Sequence, residues 1–295
     1  TLVRLAPSRP RRPMLLLGRA TALRVAMLLL GAATALRVHA PPTMTATVGA
    51  STQASTALSV VEVCDSVRAP PKDKKAYRWL KASNGLRVLL VHDPDTEKAA
   101  AALEVHAGHF SDPDERPGLA HFCEHMMFLG TRRYPEEGAF KAFLQKHGGS
   151  SNAFTGMETT GYHFIVQEDA LKPALSIFAS FFAEPLLREE SCSREMHAVD
   201  SEFQRNLQSD ARRIFQLVKS TSSPSHPFRK FSTGNLETLT AAGSATAPHE
   251  AVRQFYEEHY RPDAMCLCVL GKEGLDVLQE WVLEEFGELP PPAPA

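Results

Sequence analysis

Cysteine is scarce in this 295-residue chain: there are five, Cys64, Cys123, Cys192, Cys266 and Cys268, an odd number without a C-x-x-C pair. That excludes a disulfide-stapled scaffold. Cys266 and Cys268 fall on one face of a strand and read as packed thiols rather than zinc ligands. Long apolar runs are also missing. The run from Val25 to Leu36 has twelve residues, too few for a bilayer, so no stable membrane span is expected. Acidic residues are absent from residues 1–61, which hold seven arginines and no lysine. The remainder carries 25 basic against 34 acidic residues, about −9 in net charge. Such a body leaves no footprint for nucleic acid and suits neutral or basic peptides better than acidic ones.

Regular βαβ alternation is lacking as well. Short strands are expected at Leu86–Val91, Ala101–His106, Tyr162–Val166 and Met265–Leu270, with helices at Asp169–Ala183 and His249–Tyr260 between them. Leu175, Phe178, Phe181 and Phe182 recur at helical spacing and read as core. The pattern predicts an α+β domain: a largely antiparallel sheet with helices packed on it.

The ends have compositions of their own. Residues 1–40 are Arg-rich and Ala/Leu-rich, and close on Val38-His39-Ala40, a small-residue cleavage pattern. They read as a targeting presequence for organelle import (mitochondrion or plastid) or secretion; a start at Met44 would instead leave a cytosolic protein. A short internal duplication, Met14–Gly18 against Met27–Gly31, is confined to this segment and does not announce a solenoid. Residues 41–60, rich in Thr, Ala and Ser, read as a disordered linker, 61–289 as a single domain, and the Pro-rich 290–295 as a truncated linker.

What the chain does contain is His121-Phe122-Cys123-Glu124-His125 between Pro117 and Gly130. Pro at a first helical position, Gly past the end and apolar residues between predict a helix. On it, two histidines at i and i+4 share a face and can reach one metal, with Glu124 beside them. Cys123, inside the motif, is expected to be oxidation-sensitive. A catalytic zinc takes three protein ligands. A second helix, capped at Ser191 or Ser193 and free of Gly and Pro until Pro224, carries Glu195 and Glu202 two turns apart on one face. A solvated acidic face is the alternative reading of that helix. Gly148–Thr155 follows a helix from Pro135 to Gly148 and reads as a strand edge near the metal, or else as an ordinary paired strand.

The strings H-F-C-E-H-M-M-F-L-G-T, G-S-S-N-A-F-T, E-M-H-A-V-D-S-E and H-P-F-R-K-F-S-T-G-N closely resemble the N-terminal catalytic domain of the insulysin- and pitrilysin-type inverted-motif zinc metallopeptidases, from about Lys72 to about Leu289. The resemblance implies that His121, His125 and Glu202 ligate one Zn2+ per chain, that Glu124 is the general base for a zinc-activated water, and that Glu195 is an assisting catalytic carboxylate. It implies peptide binding by Asn152, Ala153 and Phe154, with Phe128 and Phe215 keeping an aromatic pocket and Arg212 standing where the family has tryptophan. His197 and Asp200, on other faces of the helix, read as solvated or structural. Family members resemble four such domains in two halves around the substrate. The expectation is therefore a zinc metalloendopeptidase domain acting on small unfolded peptides, incomplete without a C-terminal half or homologous subunit. The alternative is a non-catalytic, zinc-stabilised peptide-binding or regulatory partner of a longer relative. A processing-peptidase subunit fits the motif wording less well.

Overall fold

A computed structural model describes residues 58–290, Ala242 excepted. The presequence, the linker up to residue 57 and the Pro-rich end after Pro290 lie outside the described residues. Seven strands form one sheet: β1 (Val60–Cys64), β2 (Ala76–Ala82), β3 (Arg87–His92), β4 (Lys98–Val105), β5 (Ser150–Thr155), β6 (Thr160–Gln167) and β7 (Met265–Gly271), ordered β1-β2-β3-β7-β4-β6-β5. Every neighbouring pair is antiparallel except β3 and β7, which run parallel. This is the α+β architecture that the strand and helix patterns predict. β1 begins inside the expected linker, where Val60 pairs with Ala82.

Position in the sheet explains strand composition. Central β3 and β4 are buried on both faces and are almost continuously apolar, whereas β5 alternates exposed and half-buried residues because it is an edge. The core lies between the sheet and helices α1 (Leu119–Met126), α2 (Ala139–Lys146), α3 (Leu171–Ala183), α7 (Pro248–His259) and α8 (Leu275–Glu285). Phe178 of α3 meets Phe164 of β6 edge-on at 5.2 Å, and Phe140 of α2 meets Phe164 at 5.6 Å. Each such buried ring contributes roughly 1.5–3 kcal/mol by burial, so the aromatic stripe of α3 is scaffold. Cys268 lies on the opposite face with Leu89, Val91 and Leu270, a packed thiol as predicted.

Two helix starts differ from expectation. The helix expected from Pro135 begins at Ala139, because Gly138 takes a left-handed φ of 78° just before it. Helix α4 (Glu189–Asn206) begins at Glu189 with Arg188 as its cap, ahead of Ser191 and Ser193. Glu189 and Glu190 favour the positive end of the helix dipole, and Ser191 is buried, donating instead to Glu137 Oε1 at 2.7 Å. Nor does α4 run on to Pro224. It breaks at Leu207, and α5 (Asp210–Ser220) restarts with Ser209 as N-cap.

Candidate metal centre

Helix α1 starts two residues after Pro117 for a steric reason. Gly118 adopts φ +93°, and a Cβ built there would stand 2.3 Å from Gly234 Cα. Both glycines are needed for the two backbones to touch. The free N–H groups at the helix start are taken by buried Asp112, whose carboxylate accepts from Gly118 N and Ala120 N, both at 2.7 Å. Gly118→Ala is expected to lower stability by at least ~2 kcal/mol, from left-handed strain plus the clash. An unchanged urea midpoint would show that the backbones do not approach this closely.

The contact of Gly118 with Gly234 carries the Thr233 carbonyl to the first histidine. His121 Nδ1 donates to Thr233 O at 2.6 Å, and His125 Nδ1 donates to Glu195 Oε1 at 2.7 Å. Those bonds set the tautomers and leave both Nε2 atoms turned to Glu202 of α4, whose Oε2 is 3.7 Å from His121 Nε2 and 3.6 Å from His125 Nε2. The imidazole rings are 4.8 Å apart and nearly perpendicular, at 85°. A tetrahedral zinc with bonds of about 2.0–2.1 Å needs ligand-to-ligand edges of about 3.3 Å. Both Nε2-to-Oε2 separations are within a few tenths of an ångström of that, and all three donors lie within 4.8 Å of one another, so the donor set fits the metal.

The electrostatics favour a cation between these groups. The His125 imidazole, its Nε2 3.6 Å away, holds the Glu202 carboxyl down at about 2, against the opposing effect of burial. Burial works against charge on His125, but the carboxylates of Glu195 and Glu202 outweigh it and raise the imidazole to about 9. Glu124 projects beside the cluster without joining it. It is 8% exposed, burial raises its carboxyl above the ordinary range, and its Oε2 accepts from Thr155 Oγ1 at 2.5 Å. Cys123 corrects its expectation: it is fully buried and its thiol is pushed up to about 12 by burial, so it is inert rather than oxidation-sensitive.

A cleft of about 840 Å³ opens over the cluster, with β5 as one wall. Asn152, Ala153 and Phe154 line it, as does Phe128, which packs edge-on against Phe181 at 5.4 Å. Phe215 does not line this cleft, contrary to expectation. It meets Phe228 edge-on at 6.0 Å with the Lys219 ammonium over its ring, because α5 is pinned by Lys219, its one buried residue. Arg212, one turn earlier, faces the cleft instead, with no ion pair among the described residues. Asp200 is structural: its carboxylate accepts from Leu236 N at 3.1 Å at the start of α6 (Leu236–Thr240), where Asn235 forms a capping box with Thr238. His197 is exposed. Sequence reasoning missed the roles of Thr233, Thr155 and Asp112. The Ser-Thr-Gly-Asn loop before a capped helix was the available signal for the first, since metal-binding imidazoles usually donate their second N–H.

A family profile described as Insulinase (Peptidase family M16) matches residues 87–225, and one described as Peptidase M16 inactive domain matches residues 246–295. Mouse insulin-degrading enzyme is 46% identical over 81% of this chain, and the A-factor-processing enzyme of Saccharomyces cerevisiae 43% over 75%. Insulin-degrading enzyme-like 1, peroxisomal, of Arabidopsis thaliana is 47% identical over 75% of the chain. The matched stretch spans 24%, 22% and 23% of these relatives' own lengths, respectively. The crystal structure of pitrilysin superposes with a TM-score of 0.75 at 34% identity, covering 80% of this chain and 25% of that one.

Proposed function

Since the chain belongs to the insulinase family of peptidases, M16, we propose that it is the catalytic domain of a zinc metalloendopeptidase that hydrolyses small unfolded peptides. The observation that carries this reading is the convergence of His121 Nε2, His125 Nε2 and Glu202 Oε2 beside a buried carboxylate that is not one of them. In this reading His121, His125 and Glu202 hold one zinc per chain, and Glu195 orients His125 through its Nδ1–H. Zinc bound there supplies a Lewis acid that polarises a peptide carbonyl and brings the pKa of water to about 7. Glu124 takes the proton from the attacking water through the oxygen that Thr155 leaves free, then delivers it to the departing amine nitrogen.

The edge strand supplies the substrate's hold. Among the described residues β5 has a neighbour on one side only, so an extended peptide can add to its open side at Asn152, Ala153 and Phe154 through backbone hydrogen bonds that tolerate many side chains. Phe128 forms an apolar wall for one of them. Because the matched relatives are about four times longer than the stretch they share with this chain, the proposed partner is a C-terminal half or homologous subunit that closes the cleft. The presence of Glu124 favours catalysis over a merely zinc-stabilised binding module. No helix among the described residues is long and apolar enough to cross a membrane, and residues 1–40 are proposed as a targeting presequence for organelle import or secretion.

Metal content tests the site. The purified chain is expected to hold one zinc, and His125→Ala to lose it while keeping its far-ultraviolet circular dichroism. A metal content unchanged by that substitution would remove the basis of the reading.

A further inference from the structure

Thr155 ends the edge strand, and its hydroxyl meets Glu124 Oε2 at 2.5 Å. The strand's alternation turns Ser151, Ala153 and Thr155 inward, while Ser150, Asn152 and Phe154 face outward. One side chain of the proposed peptide-pairing strand therefore reaches the proposed proton carrier. At this separation a hydroxyl donating to a carboxylate makes a strong, charge-assisted bond. It occupies one carboxylate oxygen and leaves Oε1 as the only one free to face the cleft.

The contact is framed on both sides by one short segment. His109 N and Nδ1 both donate to Gly156 O, at 3.0 and 2.9 Å, and Phe110 N donates to Met157 O at 2.8 Å, so residues 109–110 grip the turn that follows β5. Gly108 allows this approach, since a Cβ there would lie 2.5 Å from Gly156 O. Two residues beyond Phe110, Asp112 holds the start of α1, the helix that carries Glu124. Lys230 Nζ ties the segment itself together, donating to Phe110 O at 3.2 Å and to Asp112 O. Burial keeps the His109 ring neutral, holding it at about 4, so one nitrogen donates to Gly156 O while Nε2 accepts from buried Lys219 at 3.4 Å. The end of β5 and the start of α1 are thus held against each other by fixed hydrogen bonds rather than by loose loop.

We propose that Thr155 is a positioning residue: it sets the rotamer of Glu124 and couples peptide pairing along β5 to the proton-transfer group. This rests on the metallopeptidase reading above. The contact is already made and held, so a peptide added to β5 pairs with a strand whose last side chain keeps the base in line. The role predicts an effect on turnover rather than on binding, because Thr155 meets the base and not the peptide.

The test uses the zinc-loaded full chain, supplied in trans with the C-terminal half of a related enzyme, and three variants. Thr155→Val removes the hydroxyl and keeps the β-branched shape, Thr155→Ser restores it, and Thr155→Ala serves should valine disturb the strand. Thr155→Val is expected to lower kcat about 10- to 100-fold, the scale of one hydrogen bond to a charged group. Its KM should stay within about twofold of wild type, with zinc content and melting temperature unchanged, and Thr155→Ser should recover most of the loss. Independently of activity, proton NMR should show a slowly exchanging Thr155 hydroxyl resonance that shifts in Glu124→Gln and vanishes in Thr155→Val. Wild-type hydrolysis with equal kcat in Thr155→Val, equal impairment of the valine and serine variants, or no such hydroxyl resonance would each overturn the role of Thr155 alone. No zinc-dependent hydrolysis by the wild-type chain supplied with that C-terminal half would overturn the functional reading, and this role with it.

Discussion

Glu124→Gln is expected to keep the fold and the zinc and to lower peptide turnover by about a hundredfold to ten-thousandfold, the usual contribution of a positioned general base. The amide has nearly the shape of the carboxylate and can still accept from Thr155, so the contact that locates the side chain in the cleft survives. It cannot accept a second proton and hand it on. The geometry makes this a clean separation, because Glu124 stands outside the group of three donor atoms that lie within 4.8 Å of one another. Steady-state kinetics with a quenched peptide, beside metal analysis of the same preparation, decides it. A variant that lost zinc together with activity would make Glu124 a ligand and undo its assignment as base.

Much of this arrangement was legible in the chain because it depends on local periodicity. Two histidines at i and i+4 must share a helix face, and Glu195 and Glu202, seven apart, must share another. That acidic stripe read equally as a solvated face until the resemblance assigned it to the metal, and in the fold it lies around buried Val199 and meets both imidazoles. What was not legible depends on distant parts of the chain. The parallel pairing of β3 with β7 joins Arg87 to Cys266, and no local pattern announces it. The Thr233 carbonyl reaches His121 only because Gly118 and Gly234, far apart in sequence, both lack a side chain where their backbones touch. Helix ends were misread where a tertiary partner outweighed the local signal. Ser191 looks like an N-cap, yet its hydroxyl is claimed by Glu137, so α4 extends back to Glu189. The resemblance implied Phe215 as a pocket residue, but buried Lys219 sets the rotation of α5 and turns Arg212 to the cleft in its place.

The second large effect separates the two acidic residues of α4. Glu202→Gln is expected to weaken zinc binding by roughly 3–5 kcal/mol, about a third of the 10–16 kcal/mol typical of a protein zinc site and equivalent to about 10²- to 10⁴-fold. In the proposed site its carboxylate is the third donor, 3.6 and 3.7 Å from the two Nε2 atoms, and the neighbouring imidazoles hold its carboxyl well below the ordinary range. A neutral amide oxygen there loses both the charge and much of the donor strength. Glu195→Gln removes no donor atom. Its carboxylate accepts from His125 Nδ1 at 2.7 Å, and the amide oxygen can still do so, so the metal loses only the orientation and added basicity of one imidazole. Such partners contribute about 10- to 100-fold in affinity. Competition with a chromophoric chelator should therefore rank wild type above Glu195→Gln, and Glu195→Gln above Glu202→Gln. The reverse order would move the third ligand from Glu202 to Glu195, and the His125–Glu195 pair would then have to break for the metal to bind.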